Sequence, residues 1–167
     1  MTARIDNRAS GKASANLLRG LRTYLGLIAA GNLVWEGLQL PLYTIWSTGT
    51  AREQAFAVLH CTMGDLLIAL STLTLALVIA GDASWPAGRF RQVAGFALIF
   101  GIAYAIFSEW LNVTVRASWA YSERMPVLSM FGLRIGVSPL LQWIVVPAAA
   151  FAITKGVTAN HSNGDQP

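Results

Sequence analysis

Four long apolar runs organise the chain, over about residues 24–46, 56–80, 93–113 and 135–153. Each is close to the roughly 20 residues a helix needs to cross a bilayer. No period-two alternation runs through them, so barrel strands are not expected. Helices satisfy their own backbone hydrogen bonds in lipid. The pattern predicts an all-α fold: a polytopic membrane protein built as a four-transmembrane-helix bundle over residues 23–155. Pro41 and Pro147 fall near helix ends, where such helices tolerate them.

The polar positions inside these runs are not scattered. Asn32, Glu36, Gln39 and Tyr43 recur at i, i+4, i+7 and i+11, one face of a helix. Cys61 and Asp65 share a face of the second run, with Thr72 further along. His60 is turned away from Asp65 by more than a third of a turn. Glu109, Asn112 and Arg116 follow i, i+3, i+7 spacing in the third run, and Ser138 and Gln142 are an i, i+4 pair in the fourth.

Charge adds an orientation. The segment 1–22 reads as a disordered basic tail, with Arg4, Arg8, Lys12, Arg19 and Arg22. Arg89, Arg91 and Lys155 lie on the same side of the expected bundle. The opposite side carries Arg52, Arg116, Arg124 and Arg134. Eight basic residues against four place both termini, including a second tail at 156–167, in the cytoplasm. At about 1.5 Å of rise per residue, Glu36, Asp65, Glu109, Ser138 and Gln142 then all fall in the outer half of the membrane. Trp46, Trp85, Trp110 and Trp119 sit near expected interfaces, as aromatic belts do.

Composition agrees with the membrane setting. Hydrophobic residues make up 54% and charged residues 12%, about half the charged share of an average soluble domain. The +4 charge forms no single stripe, so nucleic acid is not an expected partner. One cysteine, Cys61, permits no internal disulfide, and the chain holds no phosphate loop, nucleophile elbow or HExxH. The opening segment lacks the short apolar stretch and cleavage site of a secretory signal.

An ionisable group inside a spanning helix costs about 2.5–3.5 kcal/mol on insertion scales, so it faces protein or water and is a functional candidate. The candidate ligand-binding residues are Glu36, Gln39, Asp65, Glu109, Asn112, Arg116 and Gln142. Arg116 is a candidate ion-pair partner for Glu109. His60, Glu36 and Asp65 are candidate ligands for a divalent metal cofactor, because carboxylates with an imidazole suit Mn, Fe or Zn. The long third connection, "TVRASWAYSERMPVLSMFGLR", is either a cap on the outer mouth or a segment lying among headgroups.

Three functions remain open. One is an outer-leaflet polar pocket binding a cation, a proton or a polar headgroup. The second is a membrane enzyme acting on a lipid or isoprenoid, with the carboxyls as acid and base. The third is a structural or assembly subunit whose partners are the bilayer, further copies of itself or a larger membrane complex. The stretches "LPLYTIW", "LHCTMGDLLIAL", "FSEWLNVTVRASWAYSERMP" and "SPLLQWIVVP" resemble a family of small bacterial four-helix integral membrane proteins. The resemblance covers about residues 24–150. It implies a bacterial inner-membrane location and carries no activity.

Overall fold

A proline decides where the first helix stops. Without an N–H, and with its ring against the preceding turn, Pro41 favours an end to the α-helix, whereas Pro147, expected near a helix end, is accommodated inside the last helix. In a computed structural model describing residues 2–80, 84–130 and 132–164, α1 (Thr2–Gln39) ends in a 3-10 turn at Leu40–Leu42. A short α2 (Ile45–Thr48) leads into α3 (Ala51–Ala80). Thr50 and Glu53 cap the start of α3 reciprocally. Thr50 N donates to Glu53 Oε2 at 2.7 Å and Glu53 N donates to Thr50 Oγ1 at 3.3 Å, the capping-box arrangement.

Next come α4 (Phe90–Glu109), a π turn (Trp110–Val115), an antiparallel hairpin of β1 (Val127–Met130) and β2 (Leu133–Gly136), and α5 (Val137–Gly164). The expected boundaries therefore move. The first apolar run breaks at Pro41 instead of continuing to 46. The last helix starts at Val137, because 133–136 pairs as a strand. Segment 2–22, expected as a disordered tail, continues α1 as helix, and α5 carries helix through 156–164.

The chain is mostly helical, and among the described residues three helical stretches are long and apolar enough to cross a membrane: Ala51–Ala80, Phe90–Val115 and Val137–Thr158. Of the long helices, α1 packs against α3 and α5, and α4 also packs against α3 and α5. The order is thus a ring in which α1 and α4 are diagonal. Glycines set the closest approaches. A Cβ on Gly101 of α4 would stand 2.6 Å from the Trp143 ring of α5, and one on Gly31 of α1 would stand 2.7 Å from Val146.

The two ends of this ring differ in kind. The end holding the chain termini is closed by apolar packing. Tyr24 and Phe151 lie 4.4 Å apart, Phe90 meets Phe151 edge-on, and Leu73, Ala76 and Val93 are fully buried around them. Trp85 is 1% exposed and stacks on Phe90, so it belongs to the core and not to an interfacial belt. The opposite end gathers polar groups beneath the hairpin.

The third connection caps that second end. Tyr43 and Tyr121 form a bridge between the first and third connections, with Thr44 N donating to Ala120 O at 3.0 Å and Ser122 N to Leu42 O at 2.9 Å. Met125, 5% exposed, is pressed beneath, and Val137 N donates to Pro126 O at 2.8 Å. Of the two sequence expectations, the cap describes this segment.

Candidate functional site

The site grows from a donor whose direction is unambiguous. An indole N–H only donates. Trp35 Nε1 donates to Ser138 Oγ at 3.2 Å, and Ser138 Oγ donates to Gln39 Oε1 at 2.8 Å. That orients the Gln39 amide, so its Nε2 faces Glu36 Oε1 at 2.8 Å and Gln142 Oε1 at 3.1 Å. The Gln142 amide is oriented in turn, with its Nε2 toward Asn32 Oδ1 at 3.0 Å, Glu36 Oε1 at 3.0 Å and Asp65 Oδ2 at 2.9 Å. Hydrogen-bond direction therefore runs from α1 and α5 inward to the carboxyls of α1 and α3.

Three acceptors meet one nitrogen that has two hydrogens. The network around Gln142 is one hydrogen short. Glu36 spends a single oxygen on both amides, and among the described residues its Oε2 accepts from none. Trp143, held over Gly101, lies beside the Asp65 carboxyl.

A second relay ends on the third carboxyl. Gly136 N donates to Tyr121 Oη at 2.8 Å, and the Tyr121 hydroxyl donates to Glu109 Oε2 in a short contact. Burial first, then the bond to Glu109 and its charge, raise the Tyr121 hydroxyl above the usual tyrosine range, so it stays a donor. The Trp119 indole is tucked beside Glu109 but off hydrogen-bonding geometry. Tyr43 and Cys61 complete the surroundings, close enough to feel the charges of Glu36 and Glu109.

Five of the sequence candidates thus share one end of the ring: Glu36, Gln39, Asp65, Gln142 and, on the adjoining relay, Glu109. Three others do not join it. Arg116 is exposed and forms no ion pair with Glu109. Asn112 turns back on its own helix, donating to Ser108 O at 2.9 Å. The cause is the π turn, which starts right after Glu109 and bonds i to i+5. Arg116 N, for example, donates to Leu111 O at 2.8 Å. The 3.6-residue spacing that aligned Glu109, Asn112 and Arg116 is lost there.

His60 is the third. It is exposed and stacks on Phe56 at 5.5 Å, away from Asp65. Among the described residues no group of three His, Cys, Asp or Glu is poised for a metal. The divalent-metal site expected from His60, Glu36 and Asp65 is therefore not assembled. Asn32, Ser138, Trp35, Trp143 and Tyr121 belong to the site without having been assigned ligand roles. Asn32 and Ser138 stood on the polar stripes. Tyr121 lies in irregular chain, where no periodicity marks it.

The cluster is buried, with Asn32, Gln39 and Gln142 each 5% exposed or less and Glu36 9% exposed. A cleft of about 440 Å³ lies between the 3-10 turn and α3, lined by Leu40, Gln54 and Val58. Another of about 400 Å³ lies at the opposite end of the ring, by Arg89 and Phe96. Neither is lined by a residue of the cluster. Comparison with known protein families, curated proteins and solved structures finds no match for this chain.

Proposed function

We propose that this chain is a four-span membrane protein whose carboxyl cluster binds and releases a proton. The observation that carries the reading is the missing hydrogen at Gln142. Glu36 and Asp65 both converge on its amide, and no basic side chain among the described residues is paired with them. A proton on one of the two carboxyls removes a like-charge pair and lowers the demand on the two hydrogens of the amide. The burial of Glu36 and Gln142 among packed side chains favours a proton over a headgroup.

The fourth span is α1. Its mean hydropathy is lowered by Asn32, Glu36 and Gln39, but these are turned inward and buried, while Leu33, Val34 and Leu38 face outward. The packing of α1 against both α3 and α5 supports reading it as crossing with them. The eight-to-four basic asymmetry puts the termini in the cytoplasm, and the resemblance noted above suggests a bacterial inner membrane. The cluster then lies beneath the cap on the outer side, and the apolar end closes the inner one. Reporter fusions after Thr50 and after Lys155 test this: the first should report outside and the second inside.

A structural reading has one specific observation in its favour. Gln39 has all its amide positions satisfied by Glu36, Gln142 and Ser138, which suits an interhelical lock. Glu36→Gln and Asp65→Asn separate the two readings. A lock tolerates these amides with pH-independent stability in both forms. A proton site loses pH-dependent proton uptake by the purified protein.

A further inference from the structure

The cleft at the terminal end, between the last turn of α3 and the first turns of α4, has a polar rim and an apolar wall. Arg91 and Gln92 stand exposed on the rim. Arg89 sits there in the left-handed region at φ 44°, its guanidinium donating to Ala80 O at 2.5 Å and so held in place at the end of α3. The first turn of α4 has no acidic residue and no side-chain cap, so its unsatisfied N–H groups add partial positive charge. By sequence the segment 81–92 carries Asp82 against these two arginines and remains net positive.

Below the rim the surface changes character. Ile79 and Ile99, 50% and 61% exposed, flank the cleft with Phe96. Gly95 forms part of its floor, and a Cβ there would meet nothing within 4 Å. The wall belongs to two helices long and apolar enough to cross a membrane. A soluble anion would use only the rim, and a neutral lipid only the wall. We propose that this cleft binds one anionic glycerophospholipid, its phosphate at Arg91 and Arg89 and an acyl chain over Gly95 between Ile79 and Ile99. Basic sites between helices at the membrane surface recognise acidic headgroups in this way.

The test is native mass spectrometry of the purified full chain, with phosphatidylglycerol or phosphatidylcholine of identical acyl chains added. Wild type should retain phosphatidylglycerol preferentially. Arg91→Gln should reduce that preference about fivefold, the weight of one basic residue at a membrane surface. Gly95→Leu fills the floor without changing charge and favours helix, so it should lower retention of the bound lipid while leaving circular dichroism unchanged. Equal retention of both lipids by wild type would overturn the proposal. So would a preference that survives both variants, since it would come from basic residues elsewhere. Displacement of the lipid by inorganic phosphate alone would show a free-anion site and would also overturn it.

Discussion

Nε2 of Gln142 lies 3.0 Å from Oε1 of Glu36, although 106 positions separate the two residues in the chain. The contact joins the first and last long helices at the level where Asp65 arrives from α3. One neutral amide is thus shared by two acids and by Asn32. Removing it should have more effect than the loss of one ordinary hydrogen bond.

Gln142→Leu keeps the volume but leaves Glu36, Asp65, Asn32 and Gln39 without a shared partner. Buried polar groups left unpaired cost about 1–3 kcal/mol each time a partner is removed. The expected outcome is a clear drop in thermal midpoint in detergent. Gln142→Glu should be worse at high pH than at low pH, because it adds a fourth carboxyl that only protonation can reconcile with the others. Unfolding curves at two pH values check both statements.

Tyr121→Phe should loosen the cap and leave the helices in place. Tyr121 links Gly136 at the base of α5 to Glu109 at the end of α4. Its loss should speed hydrogen exchange across residues 117–136 far more than in α3. Because burial and Glu109 raise its hydroxyl above the ordinary value of about 10, the folded state holds that proton more tightly than the unfolded chain. The contribution is complete below about pH 10 and is lost as pH rises through the folded value. Wild type should therefore show cap loosening on raising the pH past that point, and Tyr121→Phe should not add to it.

Gly101→Ala should cost about 1–3 kcal/mol, the usual range for overpacking, because the new methyl would meet the rigid Trp143 ring at 2.6 Å. The push would also move Trp143 from beside Asp65. Gly26→Ala, with nothing within 4 Å, is the control and should be neutral or slightly stabilising. Thermal unfolding of the pair measures the difference.

The sequence made the inward stripe legible because α-helical spacing holds along α1, α3 and α5. Asn32, Glu36 and Gln39 met Asp65 and Gln142 where depth and periodicity put them. Legibility failed where the period changed. A π turn after Glu109 carries Arg116 into solvent, and no propensity in "EWLNVTVR" announces it. Tyr121 was invisible for a different reason: its partners are a backbone amide and a side chain on another element, set by how the third connection folds back. His60 failed as a metal ligand because its angular offset from Asp65, already visible in the spacing, carries it to the exposed face beside Phe56. The ring order of the helices depends on pairwise packing such as Gly101 on Trp143, which a single chain of letters does not encode by period.

The central claim is that Glu36 and Asp65 hold a proton between them at the Gln142 amide. Infrared difference spectroscopy of the purified protein, stepped in pH around neutrality, addresses it most directly. The account predicts a protonated-carboxyl C=O band that is titrated in wild type and absent from the Glu36→Gln, Asp65→Asn double variant. A spectrum showing only carboxylate at neutral pH, unchanged between wild type and the double variant in the protonated-carboxyl region, would contradict it.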